Sequence, residues 1–159
     1  MLDDKFGVLF VCTGNICRSP TAEAIFRKLA ADAGMGETVT ADSAGTHDYH
    51  VGEPPDPRAQ KAAAKRGYDL SGLRARRFEP ADFQRFDLIL AMDQDHYAIL
   101  SRIAGTSAGH KLKLMMSYAQ RFKERDVPDP YYGGPQGFER VLDMLEDAAG
   151  GLLESLRKD

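Results

Sequence analysis

The sequence is poor in the residues that mark several protein classes. Its 159 residues include no tryptophan and only two cysteines, Cys12 and Cys17. Two cysteines at this spacing do not make a disulfide framework, and without a second ligand pair they form a poor zinc site. The four histidines are scattered, and we interpret His47 and His50 as part of a solvated turn. We therefore expect neither a metal ion nor another cofactor.

Long apolar runs and an excess of positive charge are missing as well. No apolar run reaches about 18 residues, the length of a membrane-spanning helix, and the opening MLDDKFG lacks a signal-peptide pattern. Lysine and arginine number 21 against 24 aspartates and glutamates, and no basic stripe with interleaved aromatic residues occurs. The sequence thus predicts a cytoplasmic protein that binds neither membranes nor nucleic acid.

The middle of the chain is nevertheless locally basic, whereas the last predicted helix is rich in acidic residues. We interpret the basic stretch as a solvated helix face. Its charged residues are Arg58, Lys61, Lys65, Arg66, Arg74, Arg76, Arg77 and Arg85.

Strand and helix patterns alternate along the whole chain without linkers or repeats. The apolar periodicity predicts strands at residues 6–11, 38–44, 86–92 and 111–115. It predicts helices at residues 20–33, 57–66, 95–102, 116–122 and about 135–156. Short right-handed crossovers between such elements give a four-stranded parallel sheet with helices on both faces. We expect one three-layer α/β domain spanning residues 1–159.

The most informative segment joins the first strand to the first helix. An apolar run at residues 8–11 leads directly into CTGNICRSP at residues 12–20. A helix start binds phosphate-sized anions through unpaired backbone N–H groups and the positive end of its dipole. Five residues separate Cys12 from Arg18, so the loop can curl round the anion and the guanidinium can bind two of its oxygens. The expected anion-binding loop residues are Thr13, Gly14, Asn15, Ile16 and Cys17.

Cys12 could be a buried cysteine at a strand end, since free cysteine is among the most buried residue types. The positive surroundings of the loop favour its thiolate, however, and a thiolate is a nucleophile. We therefore predict that Cys12 is catalytic. Ser19 and Pro20 are expected to be the helix N-cap and the first helical residue, and Gly14 and Asn15 suit positive φ angles.

A thiolate that attacks a phosphate ester needs a proton donor for the leaving oxygen. Asp129 lies between Pro128 and Pro130, which restrict the backbone and hold the carboxylate in one place. The alternative is that this Asp-Pro pair only begins a turn, as Asp56 before Pro57 does at a helix start. We favour Asp129 as the acid, with Asp93 as the candidate to test next.

The order CxxxxxRS at the first helix resembles the low molecular weight protein tyrosine phosphatases. Further matching segments are DSAGT at 42–46, DPR at 56–58, AMD at 91–93 and DPYY at 129–132. The resemblance implies hydrolysis of phosphotyrosine in proteins through a cysteinyl-phosphate intermediate, with Cys12 as nucleophile, Arg18 binding phosphate and Asp129 as general acid and base. It also implies binding of phosphate or vanadate, and we expect a monomer.

The resemblance implies roles for residues around the loop as well. Asn15 and Ser43 would fix the loop shape by hydrogen bonds, and Ser19 would stabilise the thiolate as a leaving group. Aromatic residues would flank the substrate cleft: Tyr49, Tyr131 and Tyr132.

One position departs from the family pattern. The family histidine behind the phosphate loop is Leu73 here, in SGLRAR at residues 71–76. That histidine bonds the serine after the arginine and pairs with acids that match Glu23 and Asp42. Arg74 or Arg76 is the alternative partner for these two acids.

The sequence leaves two alternative functions to consider, and the role of Cys17 is open. Arsenate reductase-like thiol oxidoreductases share the loop, but they need further cysteines, and none follows Cys17, so an external thiol would be required. A non-catalytic phosphate-binding module is disfavoured by the joint presence of Cys12, Arg18 and Asp129. Cys17 itself either captures oxidised Cys12 as a disulfide or only fills space behind the loop.

Overall fold

Four parallel strands form the sheet, in the spatial order β2-β1-β3-β4. The computed structural model describes residues 5–131 and 134–157. The strands are β1 (Phe6–Cys12), β2 (Val39–Gly45), β3 (Leu88–Ala91) and β4 (Leu112–Leu114). The predicted parallel α/β sheet is confirmed, with each strand within three residues of its expected bounds.

The helices follow the predicted alternation with two additions. They are α1 (Arg18–Asp32), α2 (Pro57–Ala64), α3 (Asp82–Arg85), α4 (Gln94–Ala104) and α5 (Pro135–Arg157). The short α3 and a 3₁₀ turn at Gly109–Lys111 were not predicted, because three or four residues carry no measurable apolar period. The helix expected at 116–122 is a 3₁₀ turn at Met115–Tyr118.

The start of α1 differs from the prediction. Ser19 and Pro20 are not the N-cap and first helical residue, because the helix already begins at Arg18 and Cys17 is its N-cap. The Ser19 hydroxyl is within hydrogen-bond distance of the Cys12 sulfur and the Asn15 amide, so it is not available as a cap. Pro20 still lies in the first turn, where a missing N–H costs no helical hydrogen bond.

The two faces of the sheet carry separate apolar clusters. Side chains alternate along β1, so Val8, Phe10 and Cys12 face the larger cluster, which contains residues of α1 and α5. Leu9 and Val11 face the smaller cluster, which contains residues of α3 and α4. β1 is thus fully covered, and its carboxyl end is the point where Cys12 and the loop to α1 emerge.

Among the described helices, none is long and apolar enough to cross a membrane.

Candidate active site

The loop between β1 and α1 turns its carbonyl groups outward. The carbonyl of Cys12 accepts from Thr46 N–H at 2.8 Å, and that of Thr13 accepts from His47 N–H at 3.0 Å. Within the described ranges, by contrast, no backbone N–H of residues 13–17 donates a hydrogen bond to another protein group. Buried or half-buried N–H groups normally find partners. The loop therefore presents a set of unpaired donors of the kind that binds oxyanions.

Asn15 fixes the shape of this loop. It is the only non-glycine residue with positive φ (60°) in the described chain, whereas Gly14 does not have positive φ as predicted. Asn15 Oδ1 accepts from Arg76 N–H at 2.9 Å, which sets the orientation of the amide. Nδ2 then donates to Ser19 Oγ at 2.8 Å and to Ser43 Oγ at 2.9 Å. One buried side chain thus holds the loop to three other segments.

These bonds determine where the Ser19 proton points. Ser19 Oγ already accepts from Asn15, so its own hydrogen is free to be donated. Cys12 Sγ lies 3.0 Å away, and the carbonyl of Ala44 is more distant at 3.4 Å. A hydroxyl that donates to sulfur stabilises a thiolate more than a thiol. The arrangement therefore places a hydrogen-bond donor next to the sulfur of Cys12.

Ser43 connects the loop to a buried carboxyl group. Its hydroxyl donates to Glu23 Oε1 at 2.6 Å, and Glu23 Oε2 lies 2.7 Å from Arg27 Nη2. Burial raises the pKa of Glu23, and the bond from Ser43 and the charge of Arg27 oppose that rise. The acid behind the loop is therefore paired with a cation one helical turn away.

The two acids that match the partners of the family histidine lie next to arginines here, Glu23 next to Arg27 and Asp42 next to Arg76. Leu73 packs at the edge of the larger apolar cluster. Arg76 Nη2 lies 3.1 Å from Asp42 Oδ2, and Arg76 Nη1 lies 3.0 Å from Asp82 Oδ2. Arg74 instead donates to backbone carbonyls at its own loop. The sequence left Arg74 and Arg76 as possible partners of the two acids. Arg76 pairs with Asp42, and neither arginine pairs with Glu23.

A glycine lets the segment after β2 pack beneath the loop. A Cβ on Gly45 would lie 2.6 Å from the carbonyl oxygen of Thr13 and 3.1 Å from that of His47. Both atoms belong to backbone, so no side-chain rotation can relieve the overlap. The glycine of DSAGT is therefore required by the close approach of two chain segments.

Arg18 is buried and held from behind. Its Nη1 donates to Asp93 Oδ2 and to the carbonyl of Val127, both at 2.9 Å. Asp93 also caps α4 by accepting from His96 N–H. Burial opposes the ionisation of Asp93, but the His96 and Arg18 interactions outweigh it and lower the pKa of Asp93. Neither Nε nor Nη2 of Arg18 donates a hydrogen bond to any described residue, which leaves two donors for an oxyanion.

Asp129 begins a turn and also lies next to Arg18. Its Oδ1 accepts from Tyr131 N–H at 3.0 Å, which is a turn contact. Its Oδ2 lies 3.7 Å from Arg18 Nη2, and the side chain is 46% exposed. The turn therefore holds the carboxylate at the mouth of the loop and in contact with solvent.

These groups surround a pocket of about 250 Å³. Cys12 lies in its wall and is only 3% exposed, whereas Tyr49 on the rim is 67% exposed. Predicted site residues Asn15, Ser19 and Ser43 do not line the pocket but hold the loop from below, and Tyr132 lies outside the described residues. The lining residues are Cys12, Thr13, Gly14, Ile16, Cys17, Arg18, Tyr49, His50, Asp129 and Tyr131.

Comparison with known proteins shows the family to which the chain belongs. The family model described as low molecular weight phosphotyrosine protein phosphatase matches residues 7–159. The chain belongs to this family. A low molecular weight protein-tyrosine-phosphatase of Streptomyces coelicolor is 49% identical over 156 residues, covering 96% of this chain and 94% of the relative. The human low molecular weight phosphotyrosine protein phosphatase is 41% identical over 149 residues, covering 92% and 93%.

Solved structures agree with the sequence relatives. A crystal structure of protein tyrosine phosphatase from Entamoeba histolytica matches with a TM-score of 0.94 and 42% identity, covering 97% of this chain and 98% of that one. The chain is thus a cysteine-dependent protein-tyrosine-phosphatase, and the thiol oxidoreductase alternative is not supported.

Two histidines of this low molecular weight phosphatase lie at the site although the sequence did not assign them. The ring of His50 covers Gly14, where a Cβ would lie 2.8 Å from His50 Cδ2. The ring of His96 is buried, and its Nε2 lies 2.8 Å from Thr13 Oγ1. His96 Nδ1 lies 3.0 Å from Asp93 Oδ1 without hydrogen-bond geometry. No spacing pattern links positions 13 and 96, so only the fold shows this contact.

The burial of His96 makes the stability of the phosphatase pH-dependent. Burial, and then the positive charge of Arg18, lower the pKa of His96 from 6.5 to about 4. Between these pH values the unfolded chain binds a proton that the folded protein does not, so folding weakens as the pH falls. His96→Gln should lack this loss, which amounts to about 1–3 kcal/mol. Urea unfolding of both proteins at pH 7 and pH 4.5 measures the difference.

The comparison with His96→Gln removes the contribution of the carboxyl groups, because both proteins contain the same ones. If the two proteins lose equal stability between these pH values, His96 does not titrate as its burial requires.

The second cysteine is a poor nucleophile in this environment. Burial, and then the negative charge of Asp56, raise the pKa of Cys17. Cys17 is therefore a neutral thiol in the pocket wall. A thiol must lose its proton before it can act as a nucleophile.

Proposed function

We propose that this phosphatase hydrolyses phosphotyrosine in proteins with Cys12 as nucleophile, Arg18 as phosphate-binding residue and Asp129 as general acid and base. The loop of unpaired N–H groups at residues 13–17, with the Cys12 sulfur in the pocket wall, carries this proposal. The phosphate would lie on these donors and on the free nitrogens of Arg18. The substrate is thereby bound where the charge develops during transfer.

In the first step the Cys12 thiolate attacks phosphorus, and the bond from phosphorus to the tyrosyl oxygen breaks. Asp129 donates its proton to that oxygen, so neutral tyrosine leaves and cysteinyl-phosphate remains. The exposed carboxyl group of Asp129 at the pocket mouth supports this role, because the leaving group must depart on the solvent side.

In the second step the ionised Asp129 takes a proton from a water molecule, which attacks phosphorus as the bond to sulfur breaks. Inorganic phosphate and the Cys12 thiolate result. The Ser19 hydroxyl, 3.0 Å from Cys12 Sγ, would stabilise the departing thiolate. Asn15 and Ser43 contribute indirectly, because they hold the loop and orient the Ser19 proton.

The rim of the pocket supports an aromatic substrate. Tyr49 stacks on His47 with ring centroids 5.1 Å apart, and Tyr131 also lines the pocket. A phenyl ring between such side chains gains aromatic contacts and carries its phosphate to the recessed Cys12. Phenolate, with a pKa of about 10, also leaves more readily than the alkoxide of serine.

This substrate assignment gives a direct test. Phosphotyrosine peptides should be hydrolysed with kcat/KM roughly 100-fold above matched phosphoserine peptides, because both leaving group and reach favour tyrosine. Tyr49→Ala should raise KM for the phosphotyrosine peptide about three- to tenfold and change the inhibition constant of free phosphate much less. Steady-state kinetics with both peptides measure these effects.

Tyr97→Ala is the matched control, because Tyr97 is also exposed but does not line the pocket. Equal rates on the two peptides would refute the preference for phosphotyrosine, and an equal KM change in Tyr97→Ala would remove Tyr49 from the substrate site.

We also propose that the chain acts as one domain, as a monomer, in the cytoplasm, without membrane or nucleic-acid partners. The nucleophile must stay reduced, and cytosolic glutathione and thioredoxin keep thiols in that state. The net charge of −3 disfavours binding to nucleic acid.

A further inference from the structure

A second groove lies beside the active-site pocket. It has a volume of about 310 Å³ and runs between α2 and the first turns of α5. Arg58, Lys61 and Lys65 form one wall, and Phe138 and Glu139 belong to the other. We call it the α2 groove. None of the catalytic residues lines it, so it is separate from the phosphate site.

The α2 groove carries unneutralised positive charge. Lys61 and Lys65 are both exposed, and neither forms an ion pair with any residue in 5–131 or 134–157. Among the described lining residues the one carboxylate is Glu139, which lies 2.7 Å from Arg66 Nη2. Arg66 also pairs with Asp143 and Glu146, and none of these three carboxylates forms an ion pair with Lys61 or Lys65. The spacing 61 to 65 places the two ammonium groups on the same side of the helix. Three of the described lining residues are basic and one is acidic, so the α2 side of the groove is locally cationic on a protein of net charge −3.

One side chain connects this surface to the active site. The Arg58 guanidinium lies 5.2 Å from the ring centre of Tyr131, which lines the pocket, and 5.1 Å from that of Phe138, which lines the groove. Asp56 holds Arg58 in this position through bonds of 3.1 and 2.8 Å to Nε and Nη2. A chain that leaves the pocket past Tyr131 thus meets the groove directly.

We propose that the α2 groove binds acidic residues next to the phosphotyrosine of a protein substrate. The proposal rests on the phosphotyrosine activity above and adds a sequence preference to it. From Arg58 to Lys65 the helix rises about 10 Å, which an extended peptide spans in about three residues. The groove therefore contacts residues within the first few positions of the phosphotyrosine.

The size and charge of the groove favour a peptide over a larger polyanion. Two free lysines are few for nucleic acid, whose binding draws on many phosphate contacts, and the remaining surface is acidic overall. A short acidic segment needs only these charges and the apolar surface of Phe138 in the other wall.

Two phosphotyrosine peptides test the proposal, one with glutamates flanking the phosphotyrosine and one with alanines at those positions. The wild type should hydrolyse the acidic peptide with the higher kcat/KM, and the advantage should shrink as salt is added. Lys61→Glu/Lys65→Glu should lower kcat/KM for the acidic peptide about three- to tenfold. It should leave the alanine peptide and p-nitrophenyl phosphate unchanged.

Lys5→Glu/Lys113→Glu is the matched control, because both lysines are exposed, lie outside the α2 groove and change net charge equally. An equal loss in this control, or no preference of the wild type for the acidic peptide, would overturn the groove assignment. The alanine peptide distinguishes a failure of the groove assignment from a failure of the phosphotyrosine activity. If the wild type does not hydrolyse the alanine peptide, the phosphotyrosine activity itself is contradicted.

Discussion

Cys12→Ser is expected to abolish turnover while leaving oxyanion binding intact. A serine hydroxyl at this position is not ionised near neutral pH, and Ser19, which favours charge on sulfur, cannot activate it as a base would. The loop N–H groups and Arg18 are unchanged, so phosphate and vanadate still bind. We expect kcat for p-nitrophenyl phosphate to fall by at least about 10⁴-fold, the scale of removing a nucleophile.

Stopped-flow assays and calorimetric titration with vanadate measure the two parts of this expectation. Cys17→Ser is the informative comparison, since Cys17 is the only other thiol and should not carry the phosphoryl group. A phosphoenzyme trapped on Cys17, or substantial turnover by Cys12→Ser, would contradict the mechanism. Activity of the wild type should persist in EDTA, because no step of the mechanism uses a metal ion.

Asp129→Asn is expected to lower kcat for phosphotyrosine by about 10²–10⁴-fold, the usual contribution of a positioned acid. An amide keeps the turn bond to Tyr131 N–H through its oxygen, so the loop position should survive. Acidic phenols can leave as phenolates without a proton. For their phosphate esters, Asp129→Asn should therefore lower kcat less. Rates for a series of aryl phosphates with different leaving-group pKa values provide the measurement.

Asp93→Asn separates general acid catalysis from positioning. Asp93 bonds Arg18 and caps α4, so its replacement should weaken phosphate binding without steepening the dependence on the leaving group. If Asp93→Asn steepens that dependence and Asp129→Asn does not, the assignment of the acid is wrong and Asp93 takes the role.

Local sequence signals predicted the parts of the site that are local in the chain. The strand, loop and helix around Cys12 and Arg18 are continuous in sequence, so periodicity placed Cys12 at the end of the strand and the helix start within two residues of Arg18. The prolines beside Asp129 likewise indicated a restricted carboxylate. These features need no knowledge of distant contacts, which is why they could be recognised before the fold was known.

Contacts between distant segments could not be predicted in the same way. The carbonyl of Val127 and the ring of His96 meet Arg18 and Thr13 only because β1 and β3 are neighbours in the sheet. The error at Ser19 has a different origin, because its partners Cys12 and Asn15 are close to it in the sequence. A serine before a helical pattern is a common cap, and only the bond to Cys12 and Asn15 shows that its hydroxyl is already used.

The separation between the nucleophile and the acid also orders events during protein synthesis. Cys12 leaves the ribosome roughly 10 s before Asp129 at ordinary elongation rates, because more than a hundred residues separate them. In that interval Arg18 also lacks its anchor at Val127, and α1 lacks the α5 helix that packs against it. A ribosome-bound fragment can therefore contain the reactive thiol but not the machinery that uses it. We therefore expect efficient dephosphorylation only after the segment with Asp129 and helix α5 have joined the fold.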